Sequence, residues 1–486
     1  MTDLLQIIRQ AIVEVIPETS FNSAEPLSPR KLYIPPAHIK SLRLHHNLII
    51  GARGVGKTTW TRALGDEILR AIIGGNIPEL KNIKAQIGFS ESSMDSQYPS
   101  LEIYTDLLEK KFTAYEVWQT VLARWLCGET GDPVPVNGWT DSVTWVRKNP
   151  EPWTRLLQKA NDLFKSKGIN GLIVFDALDR SGNNWEQINE IVRDLLRLAV
   201  RLKAYSNIHT KIFLREDQLS RTVTDFPDSS KLLAAKIDLD WYLYDLHGLL
   251  WHLLCNAPGE GGDVLRNLYR ESLGRDPEQI EDYWVIANEA KWDEATQRRL
   301  FEKLAGSQMG RDKRRGVPYI WSVSHLADGK GRTSPRSFLA AIRKAAEDSS
   351  VRGGDYPLHY ESIKRGVQKA SSIRIDEMAE DYPWVRDICE PLENLNVPVE
   401  FTTIQDRWDR RYPQGPNSIT SKRLPPQHQD QGWIGIQKEL IRLGVFTEMR
   451  DGRINMPDLY QVGFGLGRRG GVTPINKPPR SRTPGY

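Results

Sequence analysis

The stretch GARGVGKTTW (Gly51–Trp60) lies between the apolar run NLII, which is typical of a short buried strand, and TRALGDEILRA, whose apolar residues have helical spacing. It matches the pattern G-x-x-x-x-G-K-[ST] through Gly51, Gly56, Lys57 and Thr58. Glycines allow such a loop to curve tightly and to point its N–H groups inward, and the positive end of the following helix adds attraction for anions. The sequence therefore predicts a phosphate-binding loop between a strand and a helix.

The residues of this loop have separate predicted roles. Lys57 is expected to reach the terminal phosphates of a nucleotide, and the Thr58 hydroxyl is expected to hold Mg²⁺. Arg53 is expected to contact a neighbouring subunit or nothing at all. An ordinary strand–turn–helix corner is the alternative for the whole stretch. The predicted set that binds ATP is Gly51, Ala52, Arg53, Gly54, Val55, Gly56, Lys57, Thr58 and Thr59.

The composition of the chain is that of an ordinary soluble protein. At about 100–200 residues per domain, 486 residues suggest about two to four domains. The 66 basic residues nearly balance the 62 acidic ones, so net charge alone favours neither nucleic acid nor a membrane surface as partner. Widely spaced cysteines, an N-terminus unlike a signal peptide and no apolar run near the ~18 residues of a membrane span favour a cytoplasmic protein outside the membrane.

Strand-like and helical runs alternate from residue 47 to residue 239. This alternation predicts an α/β fold with a parallel sheet and helices on both of its faces. The predicted strands are 47–50, 84–90, 171–175, 210–214 and 236–239, and the predicted helices between them are 58–73, 101–127, 150–167 and 185–203.

After residue 240 the pattern changes to mostly helical segments. A last helix (434–443) precedes two short runs around Asp451-Gly452, a strong signal for a two-residue hairpin turn, and a helix followed by such a hairpin is the ending of a winged helix. The predicted organisation is an N-terminal helix and extended segment (1–44), an α/β core (45–240), a helical lid (241–350), a winged-helix-type domain (358–465) and a disordered tail (466–486).

Two aspartates follow GLIVF (Gly171–Phe175), the clearest buried strand of the chain. A phosphate loop needs an acidic partner for its metal at the end of a neighbouring strand, and Asp176 stands at such an end, where it would hold Mg²⁺ through water. Asp179 would orient or deprotonate the attacking water. The alternatives are a strand-end acid that caps the next turn for Asp176 and a helix N-cap for Asp179.

The Asp-Ala-Leu-Asp arrangement (Asp176–Asp179) resembles the acidic motif of STAND NTPases, and with Arg180 it is also similar to the Asp-Asp-Leu-Asp-Arg motif of KAP NTPases. Both groups are relatives of AAA+ ATPases, and the resembling motifs are dispersed over about residues 30–345. Ala177 departs from the Asp-Glu of standard AAA+ enzymes, which favours slow, switch-like turnover over brisk hydrolysis. The resemblance also implies base-contacting residues before the first strand, at Pro35, Pro36 and His38.

Two arginines resemble the phosphate sensors of these relatives. Arg215 follows the strand TKIFL, where STAND and AAA+ proteins carry a residue that touches the γ-phosphate or reaches a neighbouring subunit as an arginine finger. A surface ion pair with Asp217 or Glu216 is the alternative. Arg336 lies in the first turn of a helix capped by Ser334, where a cation opposes the helix dipole. It resembles the second sensor arginine of AAA+ lids, and a salt bridge to the core domain is the alternative.

The charges of the predicted winged helix are mixed. Its helix 434–443 carries two basic residues with Glu439 between them, and its hairpin carries acids beside its arginines. Because acids weaken contact with DNA phosphates, this favours a protein-contacting or autoinhibitory role. The basic cluster RDKRR (311–315) and the tail arginines Arg468, Arg469, Arg480 and Arg482 leave DNA binding open.

Together these features predict a P-loop NTPase that binds ATP and Mg²⁺, hydrolyses ATP slowly, and assembles or signals, as STAND and KAP relatives do in bacterial conflict (antiphage) systems. We expect a homo-oligomer and, since no effector segment or repeat sensor array is recognisable, a separate protein partner. The first rival is a DNA-acting AAA+-like ATPase, a loader or transposition-type regulator, and the second is a nucleotide-binding scaffold without turnover. The predicted catalytic residues are Asp176, Asp179, Arg215 and Arg336, with Thr58 and Asp176 as metal ligands.

Overall fold

The computed structural model of the protein describes residues 2–18, 26–91, 96–182, 184–310, 315–421 and 424–467. The chain divides into two units: the first unit is formed by residues 23–240, and the second unit by residues 1–22 together with 241–486. Helix α1 (Thr2–Val15) belongs to the second unit. Residues 311–314 of the basic cluster and the predicted tail from residue 468 onward lie outside the described residues.

A parallel sheet of five strands runs through the first unit, in the order β2-β3-β4-β1-β5. In this order β4 lies between the strand of the phosphate loop and the strand before the two aspartates, and the predicted α/β fold with a parallel sheet is confirmed. The strands are β1 (Leu48–Ile50), β2 (Ile83–Phe89), β3 (Asn170–Phe175), β4 (Ile208–Leu214) and β5 (Ile237–Asp238). The helices of this unit are α2 (Ile39–Leu42), α3 (Lys57–Gly65), α4 (Glu67–Asn76), α5 (Leu101–Glu109), α6 (Ala114–Thr130), α7 (Trp139–Lys148), α8 (Pro150–Ser166), α9 (Trp185–Leu202), α10 (Arg221–Thr224) and α11 (Ser229–Leu233).

The sheet brings the ends of three strands to one edge. Strands β1 and β3 are buried almost throughout, which explains their unbroken apolar sequences. Ile50 is paired with Leu214 and Phe175 with Ile212, so β1, β3 and β4 end close to the same level. The residues that directly follow these strands are therefore neighbours at the carboxyl edge of the sheet, and they are Gly51, Asp176 and Arg215.

Two helices predicted as single segments are each divided. The prediction of one helix over 58–73 is wrong, because Asp66 has an extended backbone and its side chain accepts a hydrogen bond from the N–H three residues further on, which caps α4. The predicted segment 101–127 is likewise divided into α5 and α6, and a capping box between Thr113 and Glu116 begins α6. In both cases a local cap interrupts a continuous apolar periodicity.

The second unit is mostly helical, and the predicted helix and hairpin near its end are followed by one more helix of four residues. Helix α1 packs against α12, α13 and α17 of this unit. No helix of the described ranges has both the length and the apolarity needed to cross a lipid bilayer. The elements are α12 (Leu243–Cys255), α13 (Gly259–Leu273), β6 (Glu278–Ile280), β7 (Tyr283–Val285), α14 (Asn288–Trp292), α15 (Glu294–Ala305), α16 (Pro318–Ser324), α17 (Pro335–Arg352), α18 (Tyr360–Asp381), α19 (Pro383–Cys389), α20 (Phe401–Arg411), α21 (Gly432–Arg442), the antiparallel pair β8 (Thr447–Glu448) and β9 (Ile454–Asn455), and α22 (Asp458–Gln461).

Each unit contains a buried, neutral histidine. His38 accepts a hydrogen bond from Trp60 Nε1 at Nδ1 (3.1 Å) and donates from Nε2 to the Asp240 carbonyl (2.9 Å). In the second unit His247 donates from Nε2 to the Tyr319 carbonyl (2.9 Å) and stacks on the Tyr319 ring. Burial lowers the pKa of both imidazoles to about 3, so both stay neutral at physiological pH.

Acid is therefore expected to destabilise both units. An unfolded histidine has a pKa of about 6.5, so between that pH and about pH 3 the unfolded chain binds protons that the folded chain does not, and stability falls as the pH falls. At pH 5 the loss is about 2 kcal/mol for each buried histidine.

Melting temperatures at pH 7 and pH 5 check this expectation. His247→Gln keeps an N–H donor but cannot titrate, so this variant should lose less stability on acidification than the wild type. His45→Gln, at an exposed histidine, is the control and should keep the pH dependence of the wild type. The same pH dependence in His247→Gln would contradict the expectation.

Candidate functional site

The phosphate loop joins β1 to α3 and takes its shape from the glycines at its two ends. Gly56 has a φ of +98°, in the left-handed region that disfavours a side chain. The Gly51 N–H donates to the Leu214 carbonyl (3.0 Å), and a Cβ atom on Gly51 would lie 2.7 Å from Val55 Cγ2. The loop therefore closes in this form only with glycine at both positions.

Lys57, the first residue of α3, folds back into this loop. Its Nζ donates to the carbonyl oxygens of Gly51 (2.9 Å) and Ala52 (2.8 Å). Burial lowers the pKa of the ammonium group to about 8, although nearby Asp176 opposes the shift. The lysine charge and the N-terminus of α3 thus lie together inside the curve of the loop, where both attract anions. A phosphate oxygen could replace the loop carbonyls as the partner of the ammonium group.

Thr58 and Asp176 bring a hydroxyl and a carboxylate together beside the loop. Asp176 is 2% exposed, and its Oδ2 accepts a hydrogen bond from Thr58 Oγ1 at 2.8 Å. Burial raises the pKa of Asp176, while Lys57 and Thr58 oppose the shift. A hydroxyl and a carboxylate are the hard oxygen ligands that Mg²⁺ prefers, so these two side chains fit the predicted metal.

Ala177 gives the turn after Asp176 an unusual backbone. Its φ of +56° and ψ of +30° are in the left-handed region, which few residues other than glycine adopt. The next three residues form a 3₁₀ turn that contains Asp179, whose side chain is 20% exposed. Backbone strain of this kind persists where the surrounding structure fixes it, and it is common at functional sites. The turn therefore sets the direction of the Asp179 carboxylate.

Arg215 lies between Asp179 and Asp217. Its Nη1 is 3.5 Å from Asp179 Oδ2, and its Nε and Nη2 donate to the two carboxylate oxygens of Asp217 at 3.3 and 3.1 Å. The Arg215 and Asp217 side chains are 12 and 8% exposed, so this pair is nearly buried rather than a surface pair. The pKa of Lys57 responds to the charges of all four neighbours, which are Asp176, Arg215, Asp179 and Asp217.

Arg336 belongs to the second unit and pairs there with Glu377. Arg336 Nη1 forms a short ion pair with Glu377 Oε1, and Glu377 Oε2 lies 3.4 Å from Arg374 Nη1. Arg374 Nε in turn donates to the Tyr460 hydroxyl (3.1 Å), so one carboxylate connects α17 to α18 and, through Arg374, to α22. Ser334 caps α17 as predicted, whereas the sequence did not indicate Glu377 as the partner of the arginine.

Removing the Glu377 charge is expected to destabilise the second unit strongly. Arg374 is 7% exposed, and loss of one partner from a buried ion pair costs about 3 kcal/mol or more. Glu377→Gln keeps the shape of the side chain and should lower the urea midpoint. Glu302→Gln, which removes an exposed pair with Arg298, is the control and should cost about 0.5 kcal/mol or less. Equal midpoints for the two variants would contradict the expectation.

His38 is predicted to contact a base, and Arg53 to contact a neighbouring subunit or nothing at all. Both ring nitrogens of His38 form hydrogen bonds within the protein, so a contact between this ring and a base would require one of those bonds to break. Arg53 and Thr59 are half-buried in and beside the loop. The contacts predicted for Pro35, Pro36 and Arg53 stay predictions.

The surface of α21 presents little free positive charge. Glu439 is 1% exposed and accepts hydrogen bonds from the Gln427 N–H (2.9 Å) and from Arg442 Nη2 (2.5 Å). Lys438 of the same helix is exposed. In the hairpin, Arg453 forms an ion pair with Asp451 at 2.7 Å. Two arginines of this region are therefore already engaged with carboxylates.

The sheet order, the loop conformation and the arrangement of Lys57, Thr58 and Asp176 define the class of this protein. A loop at the carboxyl edge of the five-stranded parallel sheet curves around the side chain of Lys57, and beside it the Thr58 hydroxyl and the Asp176 carboxylate meet at 2.8 Å. The protein has the α/β fold of a P-loop NTPase.

Comparisons with known proteins add structural likenesses only. No protein-family model and no curated protein matches the sequence. The chain is similar to the Aeropyrum pernix ORC2 protein in ADPNP–ADP complexes, at 14% identity and a TM-score of 0.32, over 88% of this chain and 93% of that one. The ADP form of that protein is 14% identical with a TM-score of 0.33, over 87% of this chain and 90% of that one. The Aeropyrum pernix ORC1 protein in complex with DNA is 13% identical with a TM-score of 0.25, over 87% of this chain and 90% of that one. At these TM-scores the likenesses carry no argument, and the assignment of the class rests on the site itself.

Proposed function

We propose that this protein is a cytoplasmic, Mg²⁺-dependent ATPase of the STAND or KAP kind, which works as a slow switch and assembles into a homo-oligomer. The group formed by Lys57, Thr58 and Asp176 carries this proposal, with Thr58 Oγ1 donating to Asp176 Oδ2 at 2.8 Å. Lys57 and the N–H groups of the loop would bind the phosphates. Thr58 and Asp176 would hold Mg²⁺, which supplies positive charge against the phosphate oxygens.

Asp179 is the proposed base for hydrolysis. Its carboxylate is partly exposed, so water can reach it, and the left-handed turn at Ala177 fixes its direction. Asp179 would take the proton of the water whose oxygen attacks the γ-phosphorus, while the bond from that phosphorus to ADP breaks. Arg215 would stabilise negative charge on the transferred phosphoryl group.

Two features support slow turnover. Ala177 stands where the acidic motif of standard AAA+ enzymes has a glutamate. Arg215 is ion-paired with Asp217 and lies 3.5 Å from Asp179, so its guanidinium group has to leave a carboxylate before it can bind a phosphate. Each of these would raise the barrier to hydrolysis relative to an enzyme whose base and sensor are free.

The second unit is the proposed regulatory part, with a lid over residues 241–350 and a winged-helix-type domain over 358–465. Contacts within this unit support a closed arrangement of the two segments: the Gly329 N–H donates to the Gly444 carbonyl (2.6 Å), and Arg336 pairs with Glu377. The mixed charges of α21 and the hairpin favour a protein partner, a separate effector or sensor. The antiphage setting follows from the STAND and KAP resemblance.

Phosphate release by the purified protein tests this proposal, together with light scattering in the presence and absence of ATP. We expect slow release that requires Mg²⁺ and does not respond to duplex DNA, and an increase in particle mass with ATP. Strong stimulation by DNA would replace the switch with the DNA-acting ATPase. ATP binding without release, even in the assembled state, would replace it with the scaffold.

A further inference from the structure

The turn that follows β4 fixes the backbone of Arg215. Gln218 is 2% exposed, and its Oε1 accepts a hydrogen bond from the Arg215 N–H at 2.9 Å. The Gln218 N–H donates to the Arg215 carbonyl at 3.1 Å. These two bonds hold Arg215 at the carboxyl edge of the sheet, and Asp217, from within the same turn, holds the side chain.

Asp217 binds one edge of the guanidinium group with both carboxylate oxygens. Arg215 Nε lies 3.3 Å from Oδ1, and Nη2 lies 3.1 Å from Oδ2. A contact through two bonds fixes the plane of a guanidinium group as well as its position. Because both side chains are nearly buried, dissolved salt screens the pair only weakly. Asp217 therefore decides where the third nitrogen, Nη1, points.

Asp179 holds Arg215 less firmly than Asp217 does. Its single contact, from Oδ2 to Nη1, is 3.5 Å long, and its side chain is 20% exposed against 8% for Asp217. A longer, single and more hydrated contact is the weaker of the two. An anion that competes for Arg215 would accordingly displace Asp179 first and leave the Asp217 pair in place.

The backbone places Arg215 beside the phosphate site. The carbonyl of Leu214, the residue before Arg215, accepts a hydrogen bond from the Gly51 N–H at 3.0 Å, and the Gly51 carbonyl accepts one from Lys57 Nζ at 2.9 Å. A phosphate group bound by Lys57 would therefore enter a cluster in which Arg215 is the other cation. Its negative charge would compete with Asp179 for Nη1.

We propose that Asp217 is a positioning residue, which holds Arg215 so that Nη1 passes from Asp179 to the terminal phosphate of ATP. This deepens the proposed function and rests on it for the identity of the nucleotide. When ATP is bound, the γ-phosphate takes Nη1 from Asp179, and the Asp179 carboxylate becomes accessible to water. ADP has no phosphate at that place, so with ADP bound Nη1 stays with Asp179. Asp217 thereby links the state of the nucleotide to the availability of the base without touching the nucleotide.

The ratio of the affinities for ATP and ADP is the first readout, because it does not require hydrolysis. Asp217→Asn should weaken ATP binding about tenfold, as expected for one misdirected charge-assisted bond, and leave ADP binding within about twofold. Asp217→Glu keeps the carboxylate and should recover part of the ratio. Asp225→Asn removes the same charge from an exposed residue of the same unit and should leave the ratio unchanged.

A double variant separates positioning from a general structural effect. If Asp217 acts through Arg215, Asp217→Asn should cause no further change in the affinity ratio once Arg215→Ala is present. A further loss in the double variant, or an equal loss of ATP and ADP affinity in Asp217→Asn, would overturn the proposal. Melting temperatures of all variants show whether the first unit remains folded.

The rate of phosphate release is the second readout. Without the carboxylate of Asp217, the guanidinium group of Arg215 is no longer held in place, so kcat should fall up to about 100-fold. An unchanged kcat would also overturn the proposal. If the wild type binds ATP but releases no phosphate, the proposed hydrolysis fails. The ratio of the ATP and ADP affinities then tests the positioning role of Asp217 by itself. If it binds no ATP, both proposals fail.

Discussion

Lys57→Ala is expected to impair both nucleotide binding and hydrolysis: phosphate release should fall at least about 100-fold, and the affinity for ATP should fall about as much. Lys57 places a positive charge inside the phosphate loop, where its Nζ donates hydrogen bonds to the carbonyl oxygens of Gly51 and Ala52. Alanine leaves the N–H groups of the loop but removes this charge.

The same substitution should not unfold the first unit. Burial holds the pKa of Lys57 at about 8, below that of an exposed lysine, so the charged group is retained at some cost to stability. The melting temperature of Lys57→Ala should accordingly equal or exceed that of the wild type. Lys84→Ala, at a side chain that is 55% exposed, is the control and should keep full activity. Nucleotide binding by Lys57→Ala with the affinity of the wild type would remove the basis of the proposed function.

The parts of the site that could be predicted from sequence are those set by short-range chemistry. The loop from Gly51 to Thr58 and the aspartate at the end of β3 each combine a buried strand with residue types typical of phosphate or metal binding. Strand ends in a parallel sheet meet at one edge, so the meeting of Asp176 with the loop also follows from the sequence. Here local pattern and topology agree.

The parts that could not be predicted depend on side-chain direction and on distant partners. Glu377 lies on α18, 41 positions from Arg336, and no spacing rule connects the two residues. The sequence offered Asp217 as an alternative partner of Arg215, but as a surface pair; the near-burial of this pair depends on the turn that Gln218 holds. The break at Asp66 is a different case. Aspartate is a common N-cap residue, so the sequence contained a signal for the start of a second helix, but the apolar periodicity of 58–73 favoured a single helix.

The backbone conformation of Ala177, within the acidic motif Asp176–Asp179, bears on the slow ATP hydrolysis that we propose. A glutamate directly after Asp176 would be in place to activate water, whereas this chain has an alanine in a left-handed backbone there. That backbone carries the chain into the turn that presents Asp179 instead. The proposed base, Asp179, lies two residues further along the chain than such a glutamate would, and its Oδ2 is 3.5 Å from Arg215 Nη1.

Asp176→Asn is expected to separate binding from hydrolysis. Asparagine has the same shape and can still accept the hydrogen bond from Thr58, but it removes the charge that would hold Mg²⁺. Phosphate release should fall about 100-fold to 1000-fold, as when one preorganised electrostatic group is lost, while ATP affinity without Mg²⁺ should stay within a few-fold because Lys57 and the loop are unchanged.

Two measurements identify the metal role of Asp176. The ATP affinity of the wild type should rise with added Mg²⁺, and that of Asp176→Asn should not. Because burial raises the pKa of Asp176, removing its charge should leave the melting temperature unchanged or higher, which excludes misfolding as the cause of lost activity. Asp162→Asn, at an exposed aspartate of α8, should behave as the wild type. Phosphate release by Asp176→Asn at the rate of the wild type would mean that the carboxylate beside Thr58 is a structural acid at the end of β3, and that the metal is held elsewhere.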